Sequence, residues 1–242
     1  MIQHFLPLEI NKLKISMPLG KLIVIDGTDG SGKATQTKKL IERFVDEGRK
    51  VETLDFPQYY NNHFGNIIGC FLRGDFGDPT KFNPYLASVL YAADRYESSE
   101  KIRQWLAEEK IILLDRYVSG NQIHQGGKIK DEEKRKTFLN WLDKIEHGVF
   151  GIPRPDLILY LDVQPKTSQI LIEKKASRNY TGGAKKDGVE SSVEHQTDSH
   201  EQSLRLVSEM NNWVRIKCEE NGELLSIDLI HEKIWAIVSE MI

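Results

Sequence analysis

The chain has 242 residues, of which 39% are hydrophobic and 29% charged, with a formal net charge of -3. That length supports a full core in one large domain or two small ones, and the composition is that of a globular protein. The acidic balance argues against broad nucleic-acid binding, so a polyanion site has to be built locally from a few placed cations.

No apolar run is long enough to span a membrane. Cys70 and Cys218 fit no metal spacing and make no disulfide framework in a chain of this length, which points to a reduced, cytosolic setting. Residues 1 to 18 read as an appendage, with disorder one expectation for it, ahead of a single domain over 19 to 242. Their apolar start, followed by Lys12 and Lys14, lacks the order and cleavage site of a signal peptide, and Met17 stands just before the first strand pattern.

Strand and helix patterns then alternate, which predicts an α/β fold with a five-stranded, mostly parallel sheet between two helical layers. The predicted strands are Lys21 to Asp26, Lys50 to Phe56, Lys110 to Asp115, Leu157 to Asp162 and Leu224 to Asp228. Several are continuous apolar runs, as strands buried on both faces should be. Between them run helical stripes: Phe64, Ile67, Ile68, Phe71 and Leu72; Leu86, Val89, Leu90 and Ala93; Phe138, Trp141, Leu142 and Ile145; and Leu204, Val207, Met210, Trp213 and Val214. Residues 176 to 200 are rich in Gly, Ser, Lys, Asp and His, and read as a functional or disordered loop. No internal repeat is visible.

Gly27-Thr28-Asp29-Gly30-Ser31-Gly32-Lys33-Ala34-Thr35 lies between the first strand and a helix pattern through Leu40, Ile41 and Phe44. Strand, glycine loop, lysine and helix make the setting of a phosphate-binding loop, whose N–H groups and helix N-terminus attract a polyphosphate while Lys33 reaches it as a point charge. The alternative is a glycine turn before an ordinary helix. Ala34 stands where a Mg²⁺-binding hydroxyl is usual, and Thr35 is turned about a quarter-turn away on the helix.

In open α/β sheets ligands bind beyond the carboxyl ends of the strands. Asp55 to Tyr59, Asp115-Arg116-Tyr117 and Asp162 should therefore gather around one cleft with the loop. Asp115 can orient hydrated Mg²⁺ or take a proton, and Arg116 can grip a phosphate; a surface ion pair is the plainer reading. Arg95 follows Tyr91 by one helical turn, so the two can hold a flat heterocycle or form a surface cation–π pair.

These segments together resemble the thymidylate kinase (dTMP kinase) family of P-loop nucleoside monophosphate kinases. The resemblance rests on Asp26 to Gln36, Phe56-Pro57, Leu90 to Arg95, Asp115-Arg116-Tyr117 with Asn121 and Gln125, and Pro155-Asp156 through Leu161-Asp162. It implies a three-layer P-loop fold with a lid at about 176–200, and transfer of the γ-phosphoryl of ATP to dTMP with Mg²⁺, in a cytoplasmic homodimer.

Carried over by residue, Lys33 and the loop from Gly27 to Thr35 hold ATP, and Asp29 faces the acceptor sugar and its 3′-hydroxyl. Arg116 grips the acceptor phosphate, and Asp115 acts near Mg²⁺ through water. Tyr91 stacks on the base and Arg95 reads its carbonyl edge, with Phe56, Asn121, His124 and Gln125 around them. Gly30 replaces an arginine found in some members, so the lid has to supply a cation, with Arg178, Lys185 and Lys186 the candidates and Arg178 the choice. His124 stands where a tyrosine is common, and Gln58 and Tyr59 where an arginine is frequent nearby. A kinase for another deoxynucleotide or a deoxynucleoside, or a catalytically impaired nucleotide-binding module, are the alternatives.

Overall fold

A computed structural model of the chain describes residues 20–173 and 192–242. The appendage 1–18 and the candidate lid cations Arg178, Lys185 and Lys186 lie outside the described residues. Five strands form one parallel sheet: β1 (Lys21–Gly27), β2 (Val51–Asp55), β3 (Ile111–Asp115), β4 (Leu157–Asp162) and β5 (Trp213–Lys217), in the order β2-β3-β1-β4-β5. Ile25 pairs with Asp115 and Gly27 with Leu161, so the glycine loop leaves the sheet beside the ends of β3 and β4.

Alternation along each strand divides the core in two. Leu22, Val24, Ile112, Leu114, Ile158 and Tyr160 face one layer. That layer contains α3 (Pro84–Ala107), α4 (Val118–Gly127) and α7 (Val193–Glu209). Ile23, Ile25, Ile111, Leu113, Leu157, Leu159 and Leu161 face the other. There α1 (Lys33–Asp46) and α8 (Ile227–Val238) contribute Leu40, Phe44, Ile230, Ile234 and Val238. The remaining helices are α2 (His63–Arg73), α5 (Glu132–Asp143), which runs on into a π-helical turn Lys144–Val149, and α6 (Pro165–Glu173).

The fifth strand departs from expectation. The run 224–228 is not a sheet strand: Glu223–Leu224 (β7) pairs with Glu219–Glu220 (β6) in a small hairpin, and α8 begins at Ile227. The edge strand is instead Trp213–Lys217, pairing with β4. The stripe from Leu204 to Val214 therefore spans a helix, a turn and a strand; its helical spacing continued by chance across Asn211-Asn212. The segment read as a loop to residue 200 is helical from Val193.

The buried faces of α2 and α3 are also rotated from the predicted stripes. Of the predicted stripes, Ile68, Phe71, Leu72 and Ala93 are buried, but Phe64, Ile67, Leu86 and Val89 are exposed and Gly65, Ala87 and Ser88 take their place. Gly65 explains the rotation of α2. A Cβ there would lie 2.0 Å from the Gln58 carbonyl oxygen, so the chain after β2 packs directly on the helix backbone. Ile68, Phe71, Leu72 and Ala87 make a satellite core, with Tyr59 and Tyr91 packed against it.

Candidate active site

The loop after β1 turns through Gly30 and Gly32, with φ of 84° and 89°, a left-handed conformation that costs glycine nothing. No side chain caps the N-terminus of α1, so its amides and positive end are presented to the cleft. Gly30 has a second constraint: a Cβ would lie 2.5 Å from the Ser168 carbonyl oxygen of α6. Thr28 Oγ1 and Ser168 Oγ, 3.3 Å apart, tie the loop to the same helix. Asp26, fully buried, accepts from the Gly27 amide at 2.8 Å and from Ser119 Oγ at 2.5 Å, linking the loop's entry to the start of α4.

Lys33 Nζ donates to the carbonyl oxygens of Gly27 and Thr28 at 3.0 Å each, curled across its own loop. Burial and the nearby Arg116 guanidinium lower its pKa to about 8, against the opposing carboxylates of Asp29, Asp115 and Asp26. Asp115 is shifted upward by burial, with Lys33 and Arg116 pulling it back. Arg116 adopts φ 64° and its guanidinium donates to Asp29 Oδ1. Burial opposes its charge, but Asp29 and Asp26 overcome that and hold it well above its ordinary value.

Two clefts open from this cluster. The first is walled by Gly30 to Gln36, Asp55 and Asp115, and at its far end by Leu171, Leu224, Leu225, Ile227 and Ile230. The second runs between α2, α3 and α4 and is lined by Phe71, Leu72, Tyr91, Arg95, Asn121, His124, Gln125, Lys128 and His195. Asp29, Phe56, Pro57, Tyr59 and Arg116 line both clefts, so the two meet at the Asp29–Arg116 pair.

The predicted acceptor-side residues thus come together, but several are already engaged. Arg95 is buried, which excludes a surface cation–π pair. It donates from Nε to Glu146 Oε2 at 3.0 Å, from Nη2 to Glu146 Oε1, and from Nη1 to the Tyr117 carbonyl oxygen at 3.1 Å. Asn121 Nδ2 donates to Glu146 Oε1 at 2.9 Å and to the Ser88 carbonyl oxygen at 3.1 Å. Glu146 thus orders two cleft residues, yet nothing in its sequence neighbourhood marked it. Tyr91 stands edge-on to Phe71, with ring centroids 6.4 Å apart.

Asp162, expected at the cleft, is instead held by His200 at 2.8 Å and by Arg215 Nε at 2.8 Å, where it anchors α7 to β5. His195, Gln196 and Lys128 are cleft or near-cleft residues that sequence reading missed. Gln196 Nε2 donates to Asp29 Oδ2 at 3.4 Å. Lys128 is half desolvated, its pKa lowered by burial to about 8, and its Nζ donates to the Pro79 carbonyl oxygen at 2.7 Å.

Among the described residues no cluster of three or more His, Cys, Asp or Glu could hold a metal by itself. The carboxylates that line the first cleft, those of Asp29, Asp55 and Asp115, offer only oxygen ligands. They suit a hard cation that arrives on a phosphate and keeps most of its water, not a caged ion.

A parallel sheet of this order, a glycine loop feeding α1, and two clefts joined at a carboxylate–guanidinium pair define a P-loop phosphotransferase. A model of the thymidylate kinase family matches residues 25–234. The thymidylate kinase of Mycobacterium tuberculosis is 31% identical over 175 residues, 72% of this chain and 80% of that protein. A probable thymidylate kinase of Pyrococcus horikoshii is 33% identical over 221 residues, 90% of this chain and 96% of that protein. In fold, the chain is similar to the solved thymidylate kinase of Candida albicans, with a TM-score of 0.69 at 21% identity and 92% of each chain covered. The chain belongs to the thymidylate kinase family.

Proposed function

We propose that the chain transfers the γ-phosphoryl group of ATP to the 5′-phosphate of dTMP, giving dTDP and ADP. One observation carries this reading: the phosphate-loop cleft and the α2–α4 cleft share Asp29 and Arg116. Two nucleotides lying end to end would meet there, phosphate to phosphate.

Such a transfer needs alignment and charge stabilisation more than covalent chemistry. The loop amides and the α1 N-terminus hold the donor's phosphates. Lys33 leaves its carbonyl acceptors and follows the charge that builds on the transferring group. Arg116, fixed by Asp29, takes the acceptor phosphate. The aliphatic end of the donor cleft takes the purine, while Tyr91 and the Arg95–Asn121 pair face the pyrimidine.

Mg²⁺, when bound with ATP, would neutralise phosphate charge; Asp115 would hold it through water, since Ala34 offers no hydroxyl. Arg178 is proposed as the further cation. A cytoplasmic role in nucleotide supply is part of the same proposal. A homodimer fits the apolar side chains that α2 and α3 expose at Phe64, Ile67, Leu86 and Val89, and sedimentation tests it.

The activity is tested by steady-state assay with ATP and dTMP, dUMP, dCMP or thymidine. Turnover of dTMP well above the rest is expected. Fast phosphorylation of thymidine with none of dTMP would overturn the proposal.

A further inference from the structure

α7 has an unusual buried face. His195, Gln196, Ser199, His200, Gln202 and Ser203 are all buried, whereas its only fully buried aliphatic is Leu206. This polar face lies on the C-terminal half of α4, where two glycines permit close approach. A Cβ on Gly127 would lie 3.0 Å from the Asp198 carbonyl oxygen, and one on Gly126 would lie 3.3 Å from Gln202 Nε2.

At the same interface the His124 and His195 rings stack, with centroids 5.4 Å apart and planes 16° from parallel. His124 Nδ1 is 3.3 Å from His195 Nε2 and 3.1 Å from Ser199 Oγ, and His195 Nε2 is 3.4 Å from the same hydroxyl. Both imidazoles are neutral: burial brings His195 to about 4 and drives His124 well below its usual value.

A neutral imidazole carries one N–H and one lone pair. In this triangle the Ser199 hydroxyl can donate to His124 Nδ1, leaving Nε2 as the protonated donor. It can equally accept from Nδ1–H, leaving Nε2 as the acceptor. His124 Nε2 diverges from this cluster, is buried, and has no hydrogen-bond partner among the described residues. Its ring lines the acceptor cleft, and Gln196, next to His195 on α7, donates to Asp29 Oδ2 at 3.4 Å, which sets this end of α7 at the phosphate-and-sugar side. An unpartnered buried nitrogen is costly unless a ligand satisfies it. A group that can switch between donor and acceptor suits a hydroxyl, which is both.

Building on the dTMP kinase reading, we propose that His124 Nε2 hydrogen-bonds the 3′-hydroxyl of the acceptor's sugar. Ser199 and His195 of α7 are positioning residues that fix the ring and satisfy its Nδ1 in either tautomer. α7 is thereby a working wall of the acceptor site.

The test compares the affinity of the full chain for dTMP and for 2′,3′-dideoxythymidine 5′-monophosphate, by calorimetry. Wild type and the variants His124→Phe, His195→Phe and Ser199→Ala are measured, with ATP affinity as control. A single neutral hydrogen bond is worth about 5- to 10-fold in affinity. Wild type should prefer the hydroxylated ligand by at least that much. His124→Phe should narrow the preference by about fivefold, leaving whatever Asp29 contributes, and Ser199→Ala and His195→Phe should narrow it by two- to threefold. ATP affinity should stay constant throughout.

An unchanged preference in His124→Phe would overturn the contact. A narrowed preference there, with wild-type behaviour in both α7 variants, would overturn the positioning role. If wild type bound neither thymidine nucleotide, the kinase reading itself would fail, a result distinct from both.

Discussion

Lys33 offers a quantitative test of where the donor's phosphates lie. In the ligand-free protein its pKa is lowered to about 8 by burial and by Arg116. Polyphosphate oxygens brought against Nζ would hold the ammonium protonated well above that. The free protein must then take up a proton to bind ATP at alkaline pH. The uptake is about half a proton per ATP at pH 8 and about a tenth at pH 7, from the titration of a single group at about 8. The same linkage predicts an affinity loss of about tenfold between pH 7 and pH 9.

Titration calorimetry in buffers of different ionisation enthalpy measures the uptake directly, and Lys33→Met should abolish it. The linkage also acts on stability. A lysine whose folded pKa lies below the unfolded value binds fewer protons when folded, so its contribution to stability rises with pH between about 8 and 10.5. Buffer-independent binding enthalpies at pH 8, together with an ATP affinity flat to pH 9, would refute the placement of Lys33 against the phosphates.

Lys33→Ala should lower kcat more than it raises KM for ATP, because the lost charge acts most on the transition state. Arg116→Gly keeps the left-handed backbone that φ 64° requires while removing the guanidinium; kcat/KM for dTMP should fall by about 10²- to 10³-fold with ATP binding little changed, as fluorescence titration can check. Arg95→Ala strips the fully buried Glu146 of its guanidinium and should cost about 3–5 kcal/mol in urea unfolding. Adding Glu146→Gln should recover much of that stability but not the lost dTMP affinity, whereas recovery of both would assign Arg95 a purely structural role. Gly127→Ala should destabilise by about 1–3 kcal/mol, since the new methyl meets the Asp198 carbonyl, and should raise KM for dTMP and not for ATP.

Some of this protein was written in short stretches of chain. The phosphate loop is legible because its chemistry is local: Gly30 and Gly32 are needed for backbone conformations that neighbouring residues alone impose, and Lys33 acts within a few residues of itself. Four strands were legible because runs such as Ile111 to Leu114 suit burial on both faces. The fifth was not, since Trp213 and Val214 happened to extend a helical spacing begun at Leu204, and a pattern of period 3.6 cannot announce that the chain has turned at Asn212.

The helix faces of α2 and α3 were set by what packs on them: Gly65 faces inward because the chain after β2 lies against it. Glu146, His195, Ser199 and Gln196 were invisible for the same reason. Each is an ordinary polar residue in sequence, and becomes part of the cleft only because folding places it beside Arg95, His124 or Asp29. Burying a polar group demands a partner, and that partner is 25 to 167 residues away in these cleft contacts. The sequence determined where the glycine loop and its lysine stand; the tertiary structure alone decided which polar side chains would face each other across the second cleft.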